Sequence, residues 1–163
     1  MKYGIWNIAK PKEAQIQALE RAGYSPLTAR VLCGRGYETP EMARALLDVN
    51  APLCDPLPMK ELGKAAELLQ AAIAGGTKIA VFGDYDVAGI TATCLLIECL
   101  RSLRAGCLYH IPGRLEEGYG LNTPAIEQLA AEGVGLIVTV DCGITALDEA
   151  DVCRKLGVQL IVT

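Results

Sequence analysis

From Lys78 onward the chain changes period. Ile79-Ala80-Val81-Phe82, Cys107-Leu108-Tyr109-His110-Ile111, Leu136-Ile137-Val138-Thr139-Val140 and Gln159-Leu160-Ile161-Val162 are short apolar runs rich in β-branched residues, the pattern of buried strands. Between them lie helical segments, Ile90 to Leu103, Thr123 to Glu132 and Thr145 to Leu156, the last opening with Thr145 and Asp148 at capping-box spacing. Strand and helix alternating three times require right-handed βαβ units around a parallel sheet buried on both faces. The expected class is α/β: a parallel sheet of βαβ units flanked by helices and preceded by a helical N-terminal segment.

That leading segment, residues 1–75, reads as helices whose starts are marked by Ser25-Pro26 and Thr39-Pro40, a capping hydroxyl before a proline suited to the first helical turn. Gly34 and Gly36 punctuate it, and Asn50 to Pro58, with prolines at 52, 56 and 58, is an extended connection. A helical pattern resumes from Met59 to Ala74 and ends at Gly75-Gly76. The expected division is a helical segment, 1–75, packed on an α/β domain, 76–163.

Composition narrows the function classes. A 52% hydrophobic, 21% charged chain of 163 residues belongs with ordinary globular proteins, and no apolar run approaches the roughly 18 to 20 residues of a membrane span. The start, Met1 to Trp6, lacks the apolar stretch of a secretion signal, so the cytoplasm is the expected location. Seven cysteines without a C-x-x-C pair are expected to be buried, reduced thiols rather than zinc ligands or disulfides. Net charge is −4, and the acidity is uneven: residues 1–60 hold eight basic and six acidic residues, residues 61–163 seven and thirteen. That balance does not suit a free-standing nucleic-acid binder, which clusters Lys and Arg. It does suit carboxylates that meet cations.

Ligands of an open parallel sheet bind beyond the carboxyl ends of its strands. Two such places here are acidic. Gly83-Asp84-Tyr85-Asp86-Val87-Ala88-Gly89 leaves one strand and enters a helix, and Asp141-Cys142-Gly143 follows another. Asp84 and Asp86 can converge on one cation through oxygen ligands. Aspartates after strands are also ordinary turn formers and N-caps, a reading as good as the metal reading for Asp141 alone. It is weaker for the Asp84/Asp86 pair, because two anions clustered in an apolar setting call for something positive.

Gly83-Asp84-Tyr85-Asp86-Val87-Ala88-Gly89-Ile90-Thr91 resembles the first motif of the RecJ group in the DHH phosphoesterase superfamily. Ile111-Pro112-Gly113-Arg114 with Glu116-Glu117-Gly118-Tyr119-Gly120-Leu121-Asn122 resembles a further stretch of that group, and Thr139-Val140-Asp141-Cys142-Gly143-Ile144 its second acidic motif. Trp6, the Gly34-Arg35-Gly36 turn and Asp55-Pro56-Leu57 extend the likeness toward the start. The resemblance implies a 5′-to-3′ exonuclease on single-stranded DNA in repair and recombination, using two manganese or magnesium ions. It implies Asp84, Asp86 and Asp141 as catalytic metal ligands, Arg114, Tyr119 and Asn122 as substrate contacts, and single-strand-binding protein as a further partner. Taken alone, Arg114 suits a DNA phosphate or an ion pair with Glu116 or Glu117, Tyr119 suits base stacking or packing, His110 reads as structural and Trp6 as a core anchor.

The chain departs from the family pattern at Ala88, where a third aspartate is usual, a ligand or a group that orients one. It also stops at Thr163, before the Asp-His-His motif, so an inactive fragment of a longer protein is expected. Two other readings are open. A haloacid-dehalogenase-like phosphatase would use Asp84 as nucleophile and Asp86 as acid, although the later motifs argue against it. A non-catalytic RecJ-like scaffold of the replication machinery is kept open by Ala88.

Overall fold

The computed structural model describes residues 8–163; Trp6 lies outside them. The chain forms two compact units that divide between Asp55 and Pro56. In the first, α1 (Glu13–Arg21), α2 (Pro26–Gly34) and α3 (Pro40–Leu47) enclose a small core of Ile16, Leu19, Ala29, Leu32, Cys33 and Ala43. The two Ser/Thr-Pro signals act as expected: the Ser25 hydroxyl accepts from the Thr28 amide at 3.2 Å and that of Thr39 from Met42 at 3.3 Å.

The second unit begins with α4 (Leu62–Ala74) and continues β1 (Lys78–Phe82), α5 (Val87–Ser102), β2 (Cys107–His110), α6 (Thr123–Ala131), β3 (Val134–Thr139), α7 (Leu147–Lys155) and β4 (Gln159–Val162). The four strands form one parallel sheet in the order β2-β1-β3-β4. Side chains alternate across it. Ile79 and Val81 of β1 join Leu136 and Val138 of β3 beneath Ile97 and Leu100 of α5 and Ala72 of α4. Ala80, Phe82 and Ile137 face the other way, onto Ala125, Ile126 and Leu129 of α6 and Cys153 of α7. Right-handed crossovers explain the split, since β1 to β2 runs one way along the sheet and β2 to β3 and β4 the other. Helix α4 therefore belongs with the sheet: Ala65, Leu68, Leu69 and Ile73 pack against the same cluster as α5. The unit boundary thus falls about twenty residues before Gly75-Gly76.

Three local expectations are corrected. Helix α5 starts at Val87, ahead of Ile90, because Asp86 caps it: its Oδ1 accepts from the Gly89 amide at 2.9 Å. Helix α7 starts at Leu147, and the Thr145/Asp148 capping box does not form; a backbone turn from Gly143 to Ala146 (3.0 Å), with Gly143 at φ 100°, leads into it instead. The cysteines are all free, but Cys54, Cys94 and Cys99 are exposed. The last two lie on the outer face of α5, opposite the Thr93, Ile97 and Leu100 stripe. Among the described residues no helix is long and apolar enough to cross a membrane.

Candidate metal centre

Strand register places the acidic residues. Phe82 of β1 pairs with Thr139 of β3, and each strand carries an aspartate two residues further on, Asp84 and Asp141. Adjacent strands lie about 4.8 Å apart, so the two side chains emerge side by side. They do so where the chain reverses its direction along the sheet, the β1/β3 switch point at which parallel α/β sheets open a crevice. Asp86 enters from the start of α5. The structure brings all three together: one carboxylate oxygen from each of Asp84, Asp86 and Asp141 lies within 4.8 Å of the others.

Each aspartate is held by its backbone. Asp84, 4% exposed, accepts from the Tyr85 amide at 2.8 Å. Behind it Gly89 leaves no room for a side chain, because a Cβ there would stand 2.6 Å from the Asp84 carbonyl oxygen. Gly83 is equally confined, by the Thr93 hydroxyl, which is bonded back to the Gly89 carbonyl at 2.7 Å. Asp86 caps α5 through Oδ1 and at the same time has a carboxylate oxygen within 4.8 Å of those of Asp84 and Asp141. Asp141 sits at φ 61°, a left-handed conformation that Asp tolerates better than most residues.

Next to the trio, Cys142 is buried and its thiol approaches the carbonyls of Phe82 at 3.7 Å and Gly83 at 4.0 Å. Burial first, then the carboxylates of Asp84 and Asp141, push this thiol up to about 11. Tyr119 donates its hydroxyl to the Asp141 carbonyl at 3.1 Å. Desolvation and then Asp84, Cys142, Asp141 and Asp86 raise that phenol above its ordinary value. The Tyr119 side chain is 64% exposed, so it is not a core packing residue. The Arg114 guanidinium lies 4.9 Å from the centre of the Tyr85 ring, between the two aspartates of the first motif in sequence, and makes no ion pair with Glu116 or Glu117.

Asn122 makes its hydrogen bonds to residues outside the trio. Its carbonyl caps α6, accepting from Ala125 at 2.9 Å, and its amide donates to Glu117 at 3.1 Å, so both ends of the group are engaged. His110 is structural in geometry, its ring 4.9 Å from that of Phe82 and its Nε2 2.9 Å from Glu117. Ala88 is exposed in the first turn of α5. The sequence reading missed the confining role of Gly89 and the partners of Glu117; the Asn122-Thr123-Pro124 run did carry an N-cap signal.

Three carboxylates converging at the switch point of a parallel sheet make this an α/β protein with a candidate hard-cation site, the donor set that suits divalent ions with oxygen preference. The DHH family's N-terminal domain matches residues 78–163, more than half of the chain, and the chain belongs to the DHH family. It is 39% identical over 160 residues to the single-stranded-DNA-specific exonuclease RecJ of Bacillus subtilis (strain 168), a match covering 97% of this chain and 20% of that protein. To the protein of the same name from Escherichia coli (strain K12) it is 38% identical over 144 residues, 85% of this chain and 24% of that one. The chain thus spans about a fifth to a quarter of the length of these relatives. Among solved structures, exonuclease RecJ bound to manganese superposes with a TM-score of 0.63 at 44% identity, over 69% of this chain and 29% of that one. RecJ in complex with Mn2+ from Thermus thermophilus gives 0.57 at 32% identity, over 94% and 21%.

Proposed function

We propose that this chain provides the first half of the catalytic centre of a metal-dependent exonuclease that removes nucleotides from single-stranded DNA in the 5′-to-3′ direction. The observation that carries the reading is the convergence of Asp84, Asp86 and Asp141 within 4.8 Å in a chain whose relatives are single-stranded-DNA-specific exonucleases. Manganese or magnesium fits the all-oxygen donor set. When bound, a pair of such ions supplies Lewis acidity toward the scissile phosphate and a water acidic enough to attack it.

The chain's own residues have separable roles in this reading. Asp84, Asp86 and Asp141 are the metal ligands and the catalytic set. Arg114, unpaired with its neighbours Glu116 and Glu117, presents a fork of donors suited to a phosphodiester oxygen. Tyr119, exposed between Gly118 and Gly120, offers a ring for an unpaired base. Asn122 acts by capping α6 rather than by touching DNA. Three carboxylates do not saturate two divalent ions, which take about six oxygen ligands each; further ligands complete the centre in the full-length protein, and these 163 residues alone are silent. Repair and recombination in the cytoplasm, with single-strand-binding protein as an accessory, is the cellular role in keeping with such an activity. Membership of the DHH family lends the haloacid-dehalogenase-like reading no support.

The test is nucleotide release from 5′-labelled single-stranded and duplex DNA with manganese, by full-length protein, its Asp84→Asn variant and its Ala88→Asp variant. The reading expects single-strand-selective release that Asp84→Asn abolishes and Ala88→Asp raises. No release by either wild type or Ala88→Asp overturns it in favour of a scaffold.

A further inference from the structure

The loop from Ile111 to Leu121, at the carboxyl end of β2, carries the two side chains that reach the acidic motifs. Arg114 stacks on Tyr85 of the first, and Tyr119 bonds to Asp141 of the second. The loop has no strand or helix of its own and its tip is open to solvent, with Leu115 93% exposed. Its geometry is set by one residue midway between those two contacts. The Glu117 carboxylate accepts from the Gly113 amide at 2.8 Å, meets His110 Nε2 at 2.9 Å and accepts from Asn122 Nδ2 at 3.1 Å. His110 is the last residue of β2 and Asn122 the N-cap of α6, so one carboxylate ties the loop's start, interior and end together. The Gly113 carbonyl closes the turn by accepting from the Glu117 amide at 2.8 Å.

We infer that Glu117 is a positioning residue for substrate: by bridging His110, Gly113 and Asn122 it holds Arg114 in place on Tyr85 of the first acidic motif. This rests on the proposed nuclease reading, which assigns Arg114 to phosphate and Tyr119 to a base. A clamp that only stabilised the fold would act on every function of the protein alike. A clamp that aims Arg114 acts on substrate through Arg114 and nothing else, which makes the two separable.

The experiment is a double-mutant cycle in the full-length protein, Glu117→Gln with Arg114→Ala, reading KM and kcat for single-stranded DNA with manganese. Amide hydrogen exchange over residues 111–121 is read alongside. Asn122→Ser, which keeps an N-cap but loses the donor to Glu117, serves as a second variant where Glu117→Gln folds poorly. Expected are faster exchange of the loop amides, with β1 and β3 unchanged, and a KM raised about 10-fold at nearly constant kcat. The double variant should be no worse than Arg114→Ala alone, as for residues that share one network. Wild-type loop exchange in both Glu117→Gln and Asn122→Ser overturns the clamp. Additive losses with Arg114→Ala overturn the positioning role. A wild-type protein that neither binds nor cleaves single strands overturns the nuclease reading itself, and this inference with it.

Discussion

Replacing Asp141 with asparagine removes one charge from the trio and little else. Asn tolerates the left-handed φ of 61° at this position, and the backbone carbonyl that accepts the Tyr119 hydroxyl is retained. Asp141 has two carboxylate neighbours with oxygens within 4.8 Å. Unit charges at that separation repel by about 0.9 kcal/mol in bulk water and about 3.5 kcal/mol at an effective dielectric near 20. Asp86 and Asp141 are exposed, so the lower figure governs their pair, while buried Asp84 moves its own pairing upward. Without divalent ions the variant should gain roughly 1–3 kcal/mol, a rise in Tm of at least ~2 °C for a chain of this size. The gain should shrink in 1 M salt, where the screening length falls to about 3 Å. With manganese at 100 times its Kd, the wild type should gain about 2.7 kcal/mol that the variant lacks, closing most of the gap between the two melting curves or reversing it. Thermal unfolding in chelator and in manganese reads both signs. A variant less stable than wild type in chelator, or one stabilised equally by manganese, would refute the reasoning: Asp141 would then be a turn former only.

Gly89→Ala should lower stability by about 1–3 kcal/mol in urea unfolding despite the better helix propensity of alanine, because its Cβ would meet the Asp84 backbone at 2.6 to 2.7 Å and neither side can yield; it should also weaken manganese binding by displacing Asp84. The Gly113 amide first, with His110 and Asn122 adding, holds the Glu117 carboxyl below its ordinary 4.5. Its stabilisation is therefore complete above that value and lost as pH falls through the lowered one, so the stability gap between wild type and Glu117→Gln, followed by urea unfolding, should close in acid.

The α/β class was legible because β-branched runs of period two and capped helical segments differ locally, and the acidic motifs because aspartates directly after strands have few purposes. That the three aspartates share one rim of the sheet was expected from their places after strand ends, but the register that brings their oxygens within 4.8 Å of one another was not legible. It depends on β3 pairing with β1 on the side away from β2, and on Phe82 pairing with Thr139, which no local pattern specifies. Helix α4 was assigned to the leading segment because Gly75-Gly76 is a stronger local signal than the face its Leu68, Ala72 and Ile73 present to the sheet. Glu117 escaped notice because its partners lie five and seven residues away across an irregular loop, where no periodicity links them. The cysteines of α5 were misjudged for a related reason: an apolar helix reads as buried all round, whereas only its Thr93, Ile97 and Leu100 stripe faces the core.

The most direct test of the metal centre is the anomalous difference map of a crystal grown with manganese. The acidic trio predicts a peak within coordination distance of oxygens from Asp84, Asp86 and Asp141, lost in the Asp84→Asn variant. Peaks confined to other carboxylates, such as Glu116 and Glu117, with none between the three aspartates, would contradict it.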